Sequence, residues 1–171
     1  MTDDAAAPQI WAVEICDLDE HRVLAFDLPE LLDALGARAA DLDWIVTDYE
    51  PVTEDGDVET FADRVYEAQT GSPRTGVRLT SQKLRSIADR TRQTINGQFI
   101  GISSDTASPT HELVDLRTFP TSNAALVIKA VDSSFWIVIT KAADDIAAVH
   151  RRFTDVRESD RTLELGYAIG P

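Results

Sequence analysis

The chain has 171 residues, of which 43% are apolar and 27% are charged, a composition typical of one folded domain. Its single cysteine, Cys16, cannot form an internal disulfide, so the sequence gives no sign of an oxidising compartment. The first residues lack the basic and apolar segments of a secretory signal, and no apolar run is long enough to cross a membrane. These features predict a cytoplasmic protein.

Negative charge is concentrated in the first part of the sequence. The net charge is −14, and residues 1–67 contain 19 acidic and 3 basic residues, whereas residues 68–171 contain 11 and 13. An acidic surface repels nucleic acid and anionic lipid, and it attracts basic proteins. The charge distribution therefore disfavours nucleic-acid and membrane partners and favours a basic protein partner.

Two strands and a capped helix are predicted at the start of the chain. Alternating apolar residues indicate strands over 10–16 and 22–26, which a polar turn would join into a hairpin. Asp27, with Glu30 three residues later, has the spacing of a capping box. It predicts a helix that stops at Gly36.

An acidic strand and a helix are predicted next. Residues 43–49 have the composition of a strand, and residues 58–69 carry Val58, Phe61 and Val65 at helical spacing. A loop over 70–76 follows, where the charge balance changes sign, so it is the best candidate for an internal linker. Since neither half contains many core residues, we expect one domain over 1–171.

The second half begins with a short strand over 77–79 and a helix from Thr80 or Ser81 to about Thr94. The outer face of this helix is basic, and a structural role for it is to lie against the acidic half and offset its charge. Asn96-Gly97 has the composition of a hairpin turn before a strand over 98–103.

The strongest pattern lies near the end of the chain. Residues 125–131 and 135–140 are β-rich runs that flank a short polar turn, which predicts a central hairpin. A helix over 142–153 and an edge strand within 161–169 complete the prediction. The fold class is α+β, with a mostly antiparallel sheet of about five to seven strands and three to four packed helices.

The acidic run over 41–59 is the main candidate for a binding site. It contains eight acidic residues and no base, and their repulsion costs stability unless a basic surface covers them. Core packing is the default for a tryptophan on a strand, but carboxylates flank Trp44, so we predict that it is instead an exposed aromatic anchor. The alternative is a solvated acidic face without a partner. The predicted partner-binding residues are Asp43, Trp44, Asp48, Glu50, Asp55 and Asp57.

No motif for a metal, a cofactor or catalysis is present. An EF-hand read from Asp48, Asp55 or Asp57 fails at its later positions, and the three histidines lack zinc-site spacing. The sequence also lacks a nucleophile elbow and a phosphate-binding loop. We therefore predict a non-enzymatic protein with no cofactor. Two alternatives stay open: a small hydrolase with a carboxylate pair, and a regulatory or scaffold subunit.

The second half of the sequence contains a pattern of mainly core and turn residues, namely Leu84, Ile87, 95–97, 99–101, 132–136 and a helix ending at Phe153. This pattern, which covers about half of the chain, resembles small acidic immunity proteins of bacterial toxin systems. The resemblance implies a bacterial α+β protein that neutralises a basic toxin, such as a nuclease, by covering its active site with an acidic surface.

Overall fold

A computed structural model describes residues 9–72, 75–104, 119 and 122–159 of the chain. The strands are β1 (Trp11–Ile15), β2 (Leu42–Val52), β3 (Val77–Thr80), β4 (Gln93–Ser103), β5 (Ala124–Val131), β6 (Phe135–Thr140) and β7 (Val156–Glu158). The helices are α1 (Leu28–Leu35), α2 (Ala37–Ala40), α3 (Gly56–Thr70), α4 (Ser81–Ala88) and α5 (Ala143–Arg152).

The strands form a seven-stranded sheet in the order β3-β2-β4-β5-β6-β1-β7, and each neighbouring pair is antiparallel. The predicted α+β class is confirmed. The first and second halves of the sequence share this sheet, because β2 pairs with β4 and β1 pairs with β6. No helix within the described ranges is long and apolar enough to span a membrane.

Both faces of the sheet are buried. The helices contribute to a core on one face, where Trp44, Phe99 and Trp136 are fully buried. A second cluster, which includes Ile100 and Ile137, lies on the opposite face. Strands that are buried on both faces have nearly continuous apolar sequences. This explains the strong strand signal of β5 and β6, whose predicted hairpin is confirmed.

The start of α1 confirms the predicted capping box. The Asp27 backbone N–H donates to Glu30 Oε2 at 2.9 Å, and the Asp27 side chain accepts hydrogen bonds from the first turn of the helix. The same carboxylate also accepts from the Thr94 N–H and hydroxyl, each at 2.7 Å. One side chain thus both caps α1 and fixes it to β4. Gly36, at φ +55°, ends the helix as predicted.

The predicted strand over 22–26 is wrong. Only an isolated bridge between Leu18 and Leu24 forms there, and β1 pairs instead with β6 and β7. The Asp19 carboxylate accepts the N–H groups of His21 and Val23, which folds the segment into a turn. The edge strand predicted within 161–169 lies outside the described residues.

The predicted turn at Asn96-Gly97 is also wrong, because both residues lie inside β4. A side chain at Gly97 would place its Cβ 2.7 Å from the ring of Phe99, so the glycine allows close packing within a strand rather than a turn. Helix α4 ends at Ala88, several residues before the predicted end, because β4 already begins at Gln93.

Candidate functional site

Arginines from the second half of the chain pair with acidic residues from the first half. Arg78 on β3 lies beside Asp43 on β2, with its Nε at 3.1 Å and its Nη2 at 2.6 Å from the Asp43 Oδ2. Arg85 on α4 pairs with Asp33 on α1. The predicted structural role of the basic helix face, offsetting the acidic half, is confirmed for this pair.

Arginines also pair with acidic residues in the loop before α3 and in its first turn. Arg90 Nη1 lies 3.0 Å from Asp55 Oδ1 and 3.2 Å from Asp57 Oδ2, and Arg92 Nη1 lies 2.9 Å from Glu54 Oε1. Asp55 also caps α3. The hydrogen bond from the Val58 N–H, together with Arg90, lowers the pKa of Asp55.

The exposure predicted for Trp44 is wrong. The side chain is fully buried, and its indole N–H donates to the Ala39 carbonyl at 3.3 Å. The residue lies on an interior strand and faces the helices, so its ring is part of the core. Trp44 therefore cannot contact a partner in the folded protein.

Asp48 and Glu50 lie on the opposite side of the sheet from Trp44. A register shift at Thr47 in β2 places Thr47 and Asp48 next to each other opposite Gln98, whose amide donates to the Thr47 hydroxyl at 2.9 Å. Burial, and after it the charge of Glu50, raises the pKa of Asp48, whereas Lys129 opposes the shift. The six predicted residues therefore do not form one site.

A different acidic surface lies on the outer side of α3. We call it the α3 outer stripe. Buried Val58, Phe61 and Val65 hold the opposite side of the helix against the core. The stripe is exposed along its length and consists of Glu59, Asp63, Tyr66, Glu67 and Thr70.

The carboxylates of the α3 outer stripe are not paired internally. In the part of the chain that the structure describes, no basic group lies within 4 Å of Glu59, Asp63 or Glu67. Tyr66 lies among them with 66% of its surface exposed, more than any other large apolar side chain described. An exposed aromatic among carboxylates is therefore present, but it is Tyr66 rather than Trp44.

The α3 outer stripe reduces the stability of its own helix. Glu59, Asp63 and Glu67 are four residues apart, and each like-charge pair at that spacing costs about 0.2–0.5 kcal/mol. Glu67 also lies in the last helical turn, which contains no basic residue and where the helix dipole disfavours negative charge. Folding alone therefore gives no reason for this arrangement.

The sequence analysis missed Asp63, Tyr66 and Glu67 as site residues, although a signal for them was present. The helical spacing that placed Val58 and Phe61 inside also places these three residues outside. The sequence prediction followed the density of acidic residues, which is highest in the strand and loop that form most of the run over 41–59. Charge density along the sequence does not show which charges the fold will pair.

Two clefts lie elsewhere on the described surface. One of about 400 Å³ lies between α1, α2 and α4 and is lined mainly by small and apolar residues. The other, about 340 Å³, lies beside β1 and α5 and includes His150 and Glu158. Neither is lined by Asp48 or Glu50. Among the described residues, no three or more His, Cys, Asp or Glu side chains lie together in a way that could hold a metal ion.

The Cys16 thiol lies outside both clefts. Burial and a hydrogen bond to Glu14 raise its pKa to about 11, which disfavours the nucleophilic thiolate. Among the described residues, the acids around the start of α3 are thus paired with arginines, whereas the carboxylates of the α3 outer stripe are not. No protein-family model, no curated protein and no solved structure matches the chain.

Proposed function

We propose that this chain is a non-enzymatic, immunity-type protein that binds a basic protein partner through the α3 outer stripe. The observation that carries the proposal is the contrast between Tyr66 with its unpaired carboxylates and the arginine-paired acids nearby. A surface that costs helix stability, yet contributes nothing to the core, is best accounted for by a partner that covers it.

The partner that we propose is a basic bacterial toxin, such as a nuclease. A nuclease cleft that binds phosphate groups is positively charged, so an acidic helix face can occupy it in place of nucleic acid. The net charge of −14 would steer such a partner toward the protein. The resemblance of the second half to immunity proteins supports the same class, and the cytoplasm is where we expect the two proteins to meet.

The proposed interface excludes several residues that the sequence predicted as part of it, because their carboxylates are already paired with arginines. Asp43, Asp55 and Asp57 are engaged with Arg78 and Arg90, so a partner would have to break those pairs before using them. Each paired carboxylate offers less net attraction than an unpaired one. The α3 outer stripe should therefore contribute more to association than the segment before it.

The test is capture of the partner from the native host, followed by stopped-flow association kinetics. We expect a triple variant, Glu59→Lys, Asp63→Lys and Glu67→Lys, to slow association at low salt by at least about tenfold and to weaken its salt dependence. The matched control is Glu20→Lys, on the loop between β1 and α1, where the side chain is 87% exposed. Circular dichroism verifies that both variants fold.

Two results would contradict the proposal. One is an association rate that the triple variant lowers, for each charge reversed, no more than the Glu20→Lys control does. The other is a captured partner that is acidic or that is not a protein. Either outcome would leave the α3 outer stripe as a solvated helix face.

A carboxylate-pair hydrolase is the second candidate. The raised pKa of Asp48, on the same sheet face as Glu50, is the observation that favours it, since an acid catalyst needs a carboxyl group that holds its proton. Neither residue lines a described cleft, which favours the binding function instead. A hydrolytic activity that Asp48→Asn abolishes and the triple stripe variant preserves would reverse this order.

A further inference from the structure

We infer that Tyr66 is the specificity-determining anchor of the α3 outer stripe and that it accepts an arginine side chain from the partner. The inference rests on the proposed function and names the chemical group that the stripe selects. Tyr66 is the one aromatic residue of the stripe, and two-thirds of its surface is exposed.

The positions of its neighbours define what the ring can bind. Asp63 precedes Tyr66 by three residues and Thr70 follows it by four, so the ring lies on the helix surface between their side chains. Glu59 lies one turn beyond Asp63. A cation over the ring would therefore have carboxylates toward the start of the helix and a neutral hydroxyl toward its end.

This arrangement favours a guanidinium group over an ammonium group. A guanidinium is planar and weakly hydrated, so it can stack on the ring while its N–H groups donate to the Asp63 carboxylate. An ammonium is a compact and strongly hydrated charge, which lacks the plane for stacking and the fork for a paired hydrogen bond. The stripe should therefore distinguish arginine from lysine, which net charge alone cannot do.

The chain makes both kinds of interaction elsewhere, namely an arginine paired with a carboxylate and an arginine over an aromatic ring. Arg78 directs its Nε and Nη2 at one oxygen of Asp43, and the Arg152 guanidinium lies 5.5 Å from the centroid of the Phe153 ring. The α3 outer stripe places an aromatic ring and a carboxylate on one helix surface, and among the described residues no arginine forms an ion pair with its carboxylates. A partner would supply the missing group.

The probes are two helical peptides that differ only in carrying arginine or lysine at every fourth position. We expect wild type to bind the arginine peptide more tightly, by about two- to fivefold, the range that an exposed cation–π contact supplies. Tyr66→Leu should remove this preference because it keeps an apolar side chain but lacks the ring. Tyr66→Phe should keep the preference because the ring remains. Amide shifts in NMR titrations locate the bound peptide.

Equal affinity of wild type for the two peptides would overturn the inference, as would a preference that survives Tyr66→Leu. Failure of the arginine peptide to shift the amides of α3 would also overturn it. The proposed function fails by a separate result, namely an unchanged rate of partner capture by the triple lysine variant. Since Tyr66 is exposed and outside the core, circular dichroism should show all its variants folded.

Discussion

Two acidic regions that are neighbours in the sequence have different roles in the folded protein. In the segment that leads into α3, Asp55 and Asp57 share Arg90, and on β2 the side chain of Asp43 binds Arg78. On the α3 outer stripe, Glu59 and Asp63 have no such partner within the described part of the chain. The first region uses its charge to join the two halves of the molecule, and the second presents its charge to solvent.

The comparison shows that a charge imbalance along a sequence is not a charge imbalance on a surface. Arg85 and Arg90 belong to the half of the chain with balanced charge, yet the fold places them on acids of the other half. A partner is attracted by the surface charge that internal arginines do not pair. In this protein, that unpaired charge includes the carboxylates of the α3 outer stripe.

The largest expected effect separates two aromatic residues, Trp44 on β2 and Tyr66 on α3. Trp44→Ala should lower the free energy of unfolding by about 3–5 kcal/mol, because the fully buried ring leaves a cavity. Tyr66→Ala should change it by no more than about 0.5 kcal/mol, because the side chain is exposed. Urea unfolding followed by circular dichroism measures both. A comparable loss in the two variants would mean that the stripe packs against something.

An intermediate effect is expected at the Asp43–Arg78 pair. Both side chains are less than one-third exposed, so Asp43→Asn should cost about 1–2 kcal/mol by leaving the guanidinium poorly paired. Asp63→Asn on the α3 outer stripe is the matched control and should instead raise the free energy of unfolding by about 0.4–1 kcal/mol, because it removes the repulsion from both Glu59 and Glu67. A double-mutant cycle with Arg78→Gln isolates the pair, and a coupling energy near zero would show that the contact does not stabilise the fold.

A smaller effect should appear in the pH dependence of stability, with opposite signs at two aspartates. The pKa of Asp55 is lowered in the folded state. Its contribution to the free energy of unfolding is therefore present when the pH is above the ordinary aspartate pKa, and it is lost as the pH falls through the folded pKa. The pKa of Asp48 is raised, so its contribution is present at low pH and is lost as the pH rises through the folded value.

Asp55→Asn should therefore reduce the decrease in the free energy of unfolding that occurs as the pH falls. Asp48→Asn should reduce the decrease that occurs as the pH rises. Urea unfolding between about pH 2 and pH 7 covers both ranges. The same pH profile for both variants would contradict the two pKa directions. Glu20→Gln, in the loop before α1, provides a background for the removal of one carboxylate, because its side chain is 87% exposed.

The smallest effect concerns the α3 outer stripe itself. Glu67→Lys should raise the free energy of unfolding by about 0.3–1 kcal/mol, because it removes a repulsive pair with Asp63 and places a positive charge at the helix C-terminus. Glu59→Lys, in the first turn, should not stabilise, since the dipole has the opposite sign there. If Glu59→Lys raised the free energy of unfolding, repulsion between the carboxylates would outweigh the helix dipole in α3.

Local patterns determined much of the secondary structure. The capping box of Asp27 and Glu30 depends on residues three positions apart, and the spacing of Val58 and Phe61 fixed the inward side of α3. The hairpin between β5 and β6 followed from two apolar runs and a short turn, in which Asp132 has a positive φ of 47°. Such features need only neighbouring residues, so the sequence contains them directly.

Only the tertiary structure decided which candidate site residues are accessible. Asp43 and Asp55 meet arginines 35 positions away in the sequence, and Trp44 is buried because β2 lies between two other strands. Gly97, next to an asparagine, has the local composition of a turn, but the ring of Phe99 makes it a packing position. Long-range pairing and burial depend on contacts that no local window includes, so composition located the acidic residues while the fold selected which of them stay open to a partner.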